Sequence, residues 1–151
     1  MDTSELATCM SSDFWISKNK HGVFPRNRLP DCSFPGLYIV NVDLAGQPGS
    51  HWFLICVDGH CNGLFFDSLG SSQPYTRKVK KIIHNDAIIV TDDRLQSLDS
   101  NVCGGYALYF ARELAKGTDI CSMMLPFTPY HTVRNDEYVR KYTQKHFGVT
   151  I

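Results

Sequence analysis

Net charge is what this chain lacks first: 15 Lys and Arg oppose 15 Asp and Glu over 151 residues. That balance gives no global pull toward nucleic acid or an anionic membrane. The opening Met1-Asp2-Thr3-Ser4-Glu5 has no basic start followed by an apolar core, and no apolar run is long enough to span a bilayer. An intracellular protein that is neither secreted nor membrane-bound is expected. The six cysteines (Cys9, Cys32, Cys56, Cys61, Cys103, Cys121) are irregularly spaced and follow no secretory leader, which favours free thiols over disulfides. Cys56-x-x-x-His60-Cys61 has no second ligand pair at short spacing, so no metal is expected. Repeats, low-complexity tracts and dividing linkers are missing as well, leaving a single domain over residues 1–151, expected as a monomer.

What is present reads as α+β. Asp2 followed by Glu5 is a capping-box start for a short helix through about Met10. From Phe14 to Pro35 the text is aromatic, proline-rich and irregular, predicting an ordered loop held to the core by Phe14, Trp15 and Phe24. Leu37–Val42, His51–Val57 and Gly63–Ser68 read as strands, the last two as an antiparallel hairpin, and Ala87–Thr91 as a further buried strand. Helical spacing covers Tyr75–His84, Val102–Lys116 and Asn135–Phe147, with Asn135 as N-cap of the last and Tyr138, Val139 and Tyr142 facing inward. An extended connector is expected over Leu125–Tyr130.

Chemistry concentrates where a polar loop, Leu95 to Asn101, runs into the helix that begins near Cys103. A thiol at a helix start meets unpaired N–H groups and the positive end of the helix dipole, both of which favour thiolate. Cys103 is thus a candidate nucleophile, although a lone cysteine more often only fills a core. Folding the hairpin brings His51, at the mouth of one arm, toward Asp67, at the close of the other. Each alone has an ordinary structural role: a strand-end histidine, a turn-forming aspartate. Together they form a base and its orienter beside a nucleophile. Gln96, seven positions before Cys103, lies where its amide and the Cys103 N–H would line an oxyanion hole.

His51-Trp52, Leu64-Phe65-Phe66-Asp67-Ser68-Leu69-Gly70 and Gln96-x6-Cys103-Gly104 resemble adenain, the adenovirus-type cysteine protease, and its short relatives in Polinton-type elements and fish DNA viruses. The resemblance spans about residues 14–147. It implies a papain-like cysteine protease fold in permuted order (His–Asp–Gln–Cys), with a mixed central sheet packed against the cysteine helix. It also implies endopeptidase cleavage of viral structural and core precursors at Gly-containing sites, in the host nucleus and the virion. His51 matches the base, Asp67 its carboxylate, Gln96 the oxyanion glutamine and Cys103 the nucleophile. Trp52 and Gly104 match the walls of a narrow substrate tunnel. Proteases of ubiquitin-like protein tails, of sentrin type, share the residue order and the Asp-Ser-Leu-Gly text. Their glutamine typically stands one residue closer to the cysteine, and Asp replaces Val102 before it. An inactive binding module on the same fold is a further alternative. The resemblance also brings departures: Asn85 stands where adenain has the cysteine that takes up its peptide activator. With net charge zero, any DNA contact would rest on Arg77–Lys81 or on Arg140 and Lys141. No cofactor is required by these residues.

Overall fold

The capping box forms as read. The Asp2 carboxylate accepts from the Glu5 N–H at 2.9 Å and the Glu5 carboxylate from the Asp2 N–H at 2.8 Å, opening α1 (Thr3–Ser12). Leu6, Cys9 and Met10 then fall on one face at i, i+3 and i+4, and all three are buried. The computed structural model describes residues 1–29, 35–47, 49–58, 63–70 and 88–151. The expected helix over Tyr75–His84 lies outside them.

The described part of the stretch from Phe14 to Pro35, residues 14–29 and 35, is more regular than its composition suggests. It contains a 3-10 turn at Ile16–Lys18, strand β1 (His21–Pro25) and a second 3-10 turn at Arg26–Arg28. His, Gly and Pro carry little strand propensity. β1 exists because it pairs in parallel with its neighbour along the whole length, His21 opposite Leu37 through Pro25 opposite Asn41. The packing residues also differ from expectation. Phe14 is 63% exposed, under the Lys18 ammonium 3.5 Å from its ring centre, and Ile16 is the fully buried anchor.

β2 (Gly36–Asn41), β3 (Trp52–Val57), β4 (Gly63–Phe66) and β5 (Ile88–Ile89) complete a five-stranded sheet in sequential order. β3 runs antiparallel to both of its neighbours, β2 and β4, while β1 joins β2 and β5 joins β4 in parallel, so the sheet is mixed as expected. The continuous apolar runs reflect burial on both faces. Leu37, Ile39, Trp52, Leu54 and Phe66 pack toward the helices; Tyr38, Val40, Phe53, Ile55, Val57 and Phe65 form a separate cluster on the other side. Leu54 faces Phe66 across the hairpin, so His51 lies just before β3 and Asp67 just after β4, at one sheet end.

Helix α2 (Cys103–Ala115) crosses the sheet with Phe110 stacked on Phe66 at 3.7 Å between ring centres. Gly105 is needed there: a Cβ would run into Ile151, Val139 and Thr143, which belong to or follow the C-terminal helix. A short helix α3 (Ile120–Met124), capped by Asp119, precedes the connector and was not anticipated. The last helix, α4 (Thr132–Phe147), begins three residues earlier than its spacing suggested. Val139 and Tyr142 are buried as expected, but Tyr138 is 37% exposed.

Asn135 is therefore not the N-cap. It is fully buried, and its amide donates to Leu95 O at 2.9 Å and Thr128 O at 2.7 Å while accepting from Thr128 N at 3.2 Å. A capping residue and a buried polar rivet look alike in sequence, because both are Asn near a helix start. Asn135→Ala is expected to cost about 2 kcal/mol in chemical denaturation, since it strips partners from buried backbone groups on two segments at once.

Candidate active site

The site is assembled from two sheet-end residues and one helix start. His51 Nε2 lies 2.7 Å from Asp67 Oδ1, with both side chains nearly inaccessible. The same Asp67 oxygen accepts from the Leu69 N–H at 2.8 Å, which fixes the carboxylate against its own turn. His51 is also coupled to the Cys103 side chain, so a carboxylate and a thiol are the two side-chain partners of the imidazole.

The electrostatics follow from those partners. Burial opposes a charge on His51, but the hydrogen bonds and charges of Asp67 and Cys103 outweigh it and push its pKa up to about 9. Burial likewise disfavours a Cys103 thiolate. The His51 hydrogen bond and charge, joined by the backbone N–H groups of Trp52 and Gly104, reverse that, and the thiol lies below its ordinary value. The two shifts are opposite in direction and share a cause, the hydrogen bond and charge that each group presents to the other. Cys9 and Cys56 shift the other way. Burial and nearby Glu5 raise Cys9, and burial with Asp58 pushes Cys56 up to about 11. Among these thiols only Cys103 has an environment that favours a nucleophile.

Gln96 is placed on the loop leading into α2 and is 3% exposed. Its Oε1 accepts from Ser68 Oγ at 2.7 Å and its Nε2 donates to Ser100 O at 2.7 Å. The loop itself is bolted down on three sides. Leu95 N and Gln96 N donate to Ser68 O at 2.9 and 3.0 Å. Ser97 N donates to Asp136 Oδ2 at 3.2 Å. The Tyr106 hydroxyl stands 3.0 Å from both Leu95 O and Asp136 Oδ1, its one proton shared between them. Gly70, at φ +86°, permits this closeness: a Cβ there would sit 2.6 Å from Asp92 O.

Neither a family model nor a curated protein matches the chain. Solved structures do. The ASFV pS273R protease superposes with a TM-score of 0.54 at 15% identity, over 93% of this chain and 66% of that one. The fold is that of a papain-like cysteine protease. A selenomethionine form of the ASFV pS273R protease aligns at 19% identity and a TM-score of 0.44, over 74% of this chain and 43% of that one. The chain thus spans at most 66% of the length of these proteins.

Trp52 and Gly104, the expected tunnel walls, both adjoin the nucleophile and lie near the N-terminal residue. Trp52 is 6% exposed and its Nε1 donates to Met1 O at 3.2 Å. A Cβ on Gly104 would lie 3.3 Å from Leu6 and Met1 side-chain atoms, so that glycine also serves the packing of α1. Asn85 and the basic run Arg77–Lys81 lie outside the described residues. Arg140 donates from Nε to Ile151 O at 3.1 Å. Ser68, Asn135 and Asp136 hold the Gln96 loop, a role expected of none of them, Asn135 having been expected only as an N-cap. Ser68 carried a signal in standing next to Asp67; Asp136 carried none, being an ordinary acid on an amphipathic helix.

Proposed function

We propose that this chain is a cysteine endopeptidase of adenain-like type that cuts viral structural and core precursor polypeptides at Gly-containing sites during virion maturation. The observation that supports it most is the Asp67–His51–Cys103 set, with its 2.7 Å carboxylate–imidazole contact and its opposed pKa shifts. The Cys103 thiolate attacks the scissile carbonyl carbon, forming a C–S bond as the carbonyl electrons move to oxygen. That oxyanion is received by the Gln96 amide and the Cys103 N–H. The His51 imidazolium gives its proton to the amine as the C–N bond breaks, leaving a thioester. A water deprotonated by the now neutral His51 attacks the thioester, the C–S bond breaks, and acid and thiolate are released. Asp67 orients the ring and stabilises it when charged throughout.

In this reading Trp52 and Gly104 border a channel too narrow for a Cβ, which is why glycine before the cut is favoured. The sites of action are the host nucleus and the maturing virion. No peptide activator is required, and DNA contributes little. The intact set of four residues argues against an inactive binding module. The Trp52 and Asp67-Ser68-Leu69-Gly70 text favours a second reading, cleavage of ubiquitin-like tails, whose ends are also Gly-Gly. Parallel assays of a precursor-type peptide carrying an internal Gly-Gly site and of ubiquitin-type C-terminal reporters separate the two. Cleavage of the internal peptide at least about tenfold faster is expected; preference for the ubiquitin-type reporter overturns the choice.

A further inference from the structure

We infer that Ser68 is a positioning residue of the oxyanion hole: its hydroxyl sets which way the Gln96 amide points. This rests on the endopeptidase reading and extends it to a residue with no contact to the reacting atoms. Ser68 is 1% exposed and Gln96 3%, so neither has water as an alternative partner. Ser68 Oγ donates to Oε1 at 2.7 Å, and Ser100 O accepts from Nε2 at 2.7 Å. A primary amide carries one acceptor end and one donor end, and the two serines read one each. Turning the amide over would bring Oε1 against the Ser100 carbonyl, acceptor to acceptor. With Oε1 held by the hydroxyl and one Nε2 proton held by Ser100, a single N–H remains for a ligand. That is the donor an oxyanion needs, and fixing it in advance is what makes such a donor effective.

The position of Ser68 in the chain gives the arrangement a second consequence. It directly follows Asp67, which holds His51, and its backbone carbonyl accepts from both Leu95 N and Gln96 N at 2.9 and 3.0 Å. One turn after β4 therefore orients the base through Asp67 and the oxyanion donor through Ser68. The main-chain part of this clamp is independent of the side chain. Ser68→Ala removes the hydroxyl and keeps the backbone bonds, so it tests orientation with little disturbance of the loop.

The expected result for Ser68→Ala is a fall of about tenfold in kcat toward a Gly-Gly peptide with KM unchanged, smaller than the roughly hundredfold loss typical when an oxyanion donor is removed outright. A peptide ending in glycinal, which binds as a tetrahedral adduct, should weaken about tenfold. Alkylation of Cys103 by iodoacetamide, which forms no oxyanion, should keep its rate. In a Gln96→Ala background the same change should cost less than about twofold, because the group it positions is gone. Wild-type kcat in Ser68→Ala, or an equal loss with and without Gln96, overturns the inference while leaving the protease reading intact. Failure of the wild-type chain to cleave or to bind the glycinal removes both.

Discussion

Cys103→Ala is expected to lower peptide cleavage on the order of a million-fold while leaving the fold in place. The size follows from chemistry. Without sulfur the His51–Asp67 pair retains only water to activate, and the covalent route that divides the reaction into two easier steps is closed. What remains is binding and oxyanion stabilisation. The fold should survive because alanine keeps the helical Cβ and α2 is anchored by its neighbours. Val102 and Tyr106 are fully buried, and Phe110 stacks on Phe66. Cleavage assays paired with thermal melts check both halves. A glycine-based vinyl probe should label Cys103 in the native chain faster than the exposed Cys121, despite the greater burial of Cys103. Undiminished cleavage by the alanine variant would show that the nucleophile lies elsewhere.

Asp67→Asn should have the next largest effect, a loss of roughly a hundredfold or more in kcat/KM together with a changed pH profile. Asparagine matches the shape and can still accept from Leu69 N, so the turn is retained while the charge goes. On the proposed mechanism the thiolate–imidazolium pair is the active form. On the acid side activity should fall as Cys103 takes up a proton. On the alkaline side it should fall near pH 9, where His51 gives its proton up and can no longer protonate the leaving amine. Burial alone would draw His51 down, and Asp67 is a main reason it is not. Removing that charge should move the alkaline limb to lower pH and narrow the active range. Both limbs belong to the coupled pair, so the comparison is between profiles and not between single-site constants. An Asn variant with an unmoved alkaline limb would mean that Asp67 does not hold the imidazolium.

The parts of this protein legible in sequence are those where one residue type in one local setting has few other uses. The Asp2–Glu5 capping box formed atom for atom. The strand run Leu37–Val42, the hairpin and the cysteine helix were marked by β-branched content, turn residues and helical spacing, and their bounds were met within about two residues. The His51–Asp67 contact was legible because folding the hairpin brings its open ends together to within a residue or two of register. β1 was not legible, since it is a strand by virtue of pairing with β2 and not by composition. Asn135 was misread because a cap and a buried rivet begin from the same residue at nearly the same place.

By itself the sequence determined the residue types, their order and the local elements that carry them: a cysteine at a helix start, a histidine before one strand, an aspartate after its partner, a glutamine in the loop between. Tertiary structure alone decided how firmly they are held. The Gln96 loop is pinned by Asn135, Asp136, Tyr106 and Ser68, residues from two helices and a turn that no short-range pattern links. The opposed shifts of Cys103 and His51 likewise depend on the fold, since burial disfavours charge on both and is outweighed only by the partners that the fold brings to them. A hydrogen-bonded charge pair is strengthened when water is excluded, and exclusion of water is a property of the packed whole.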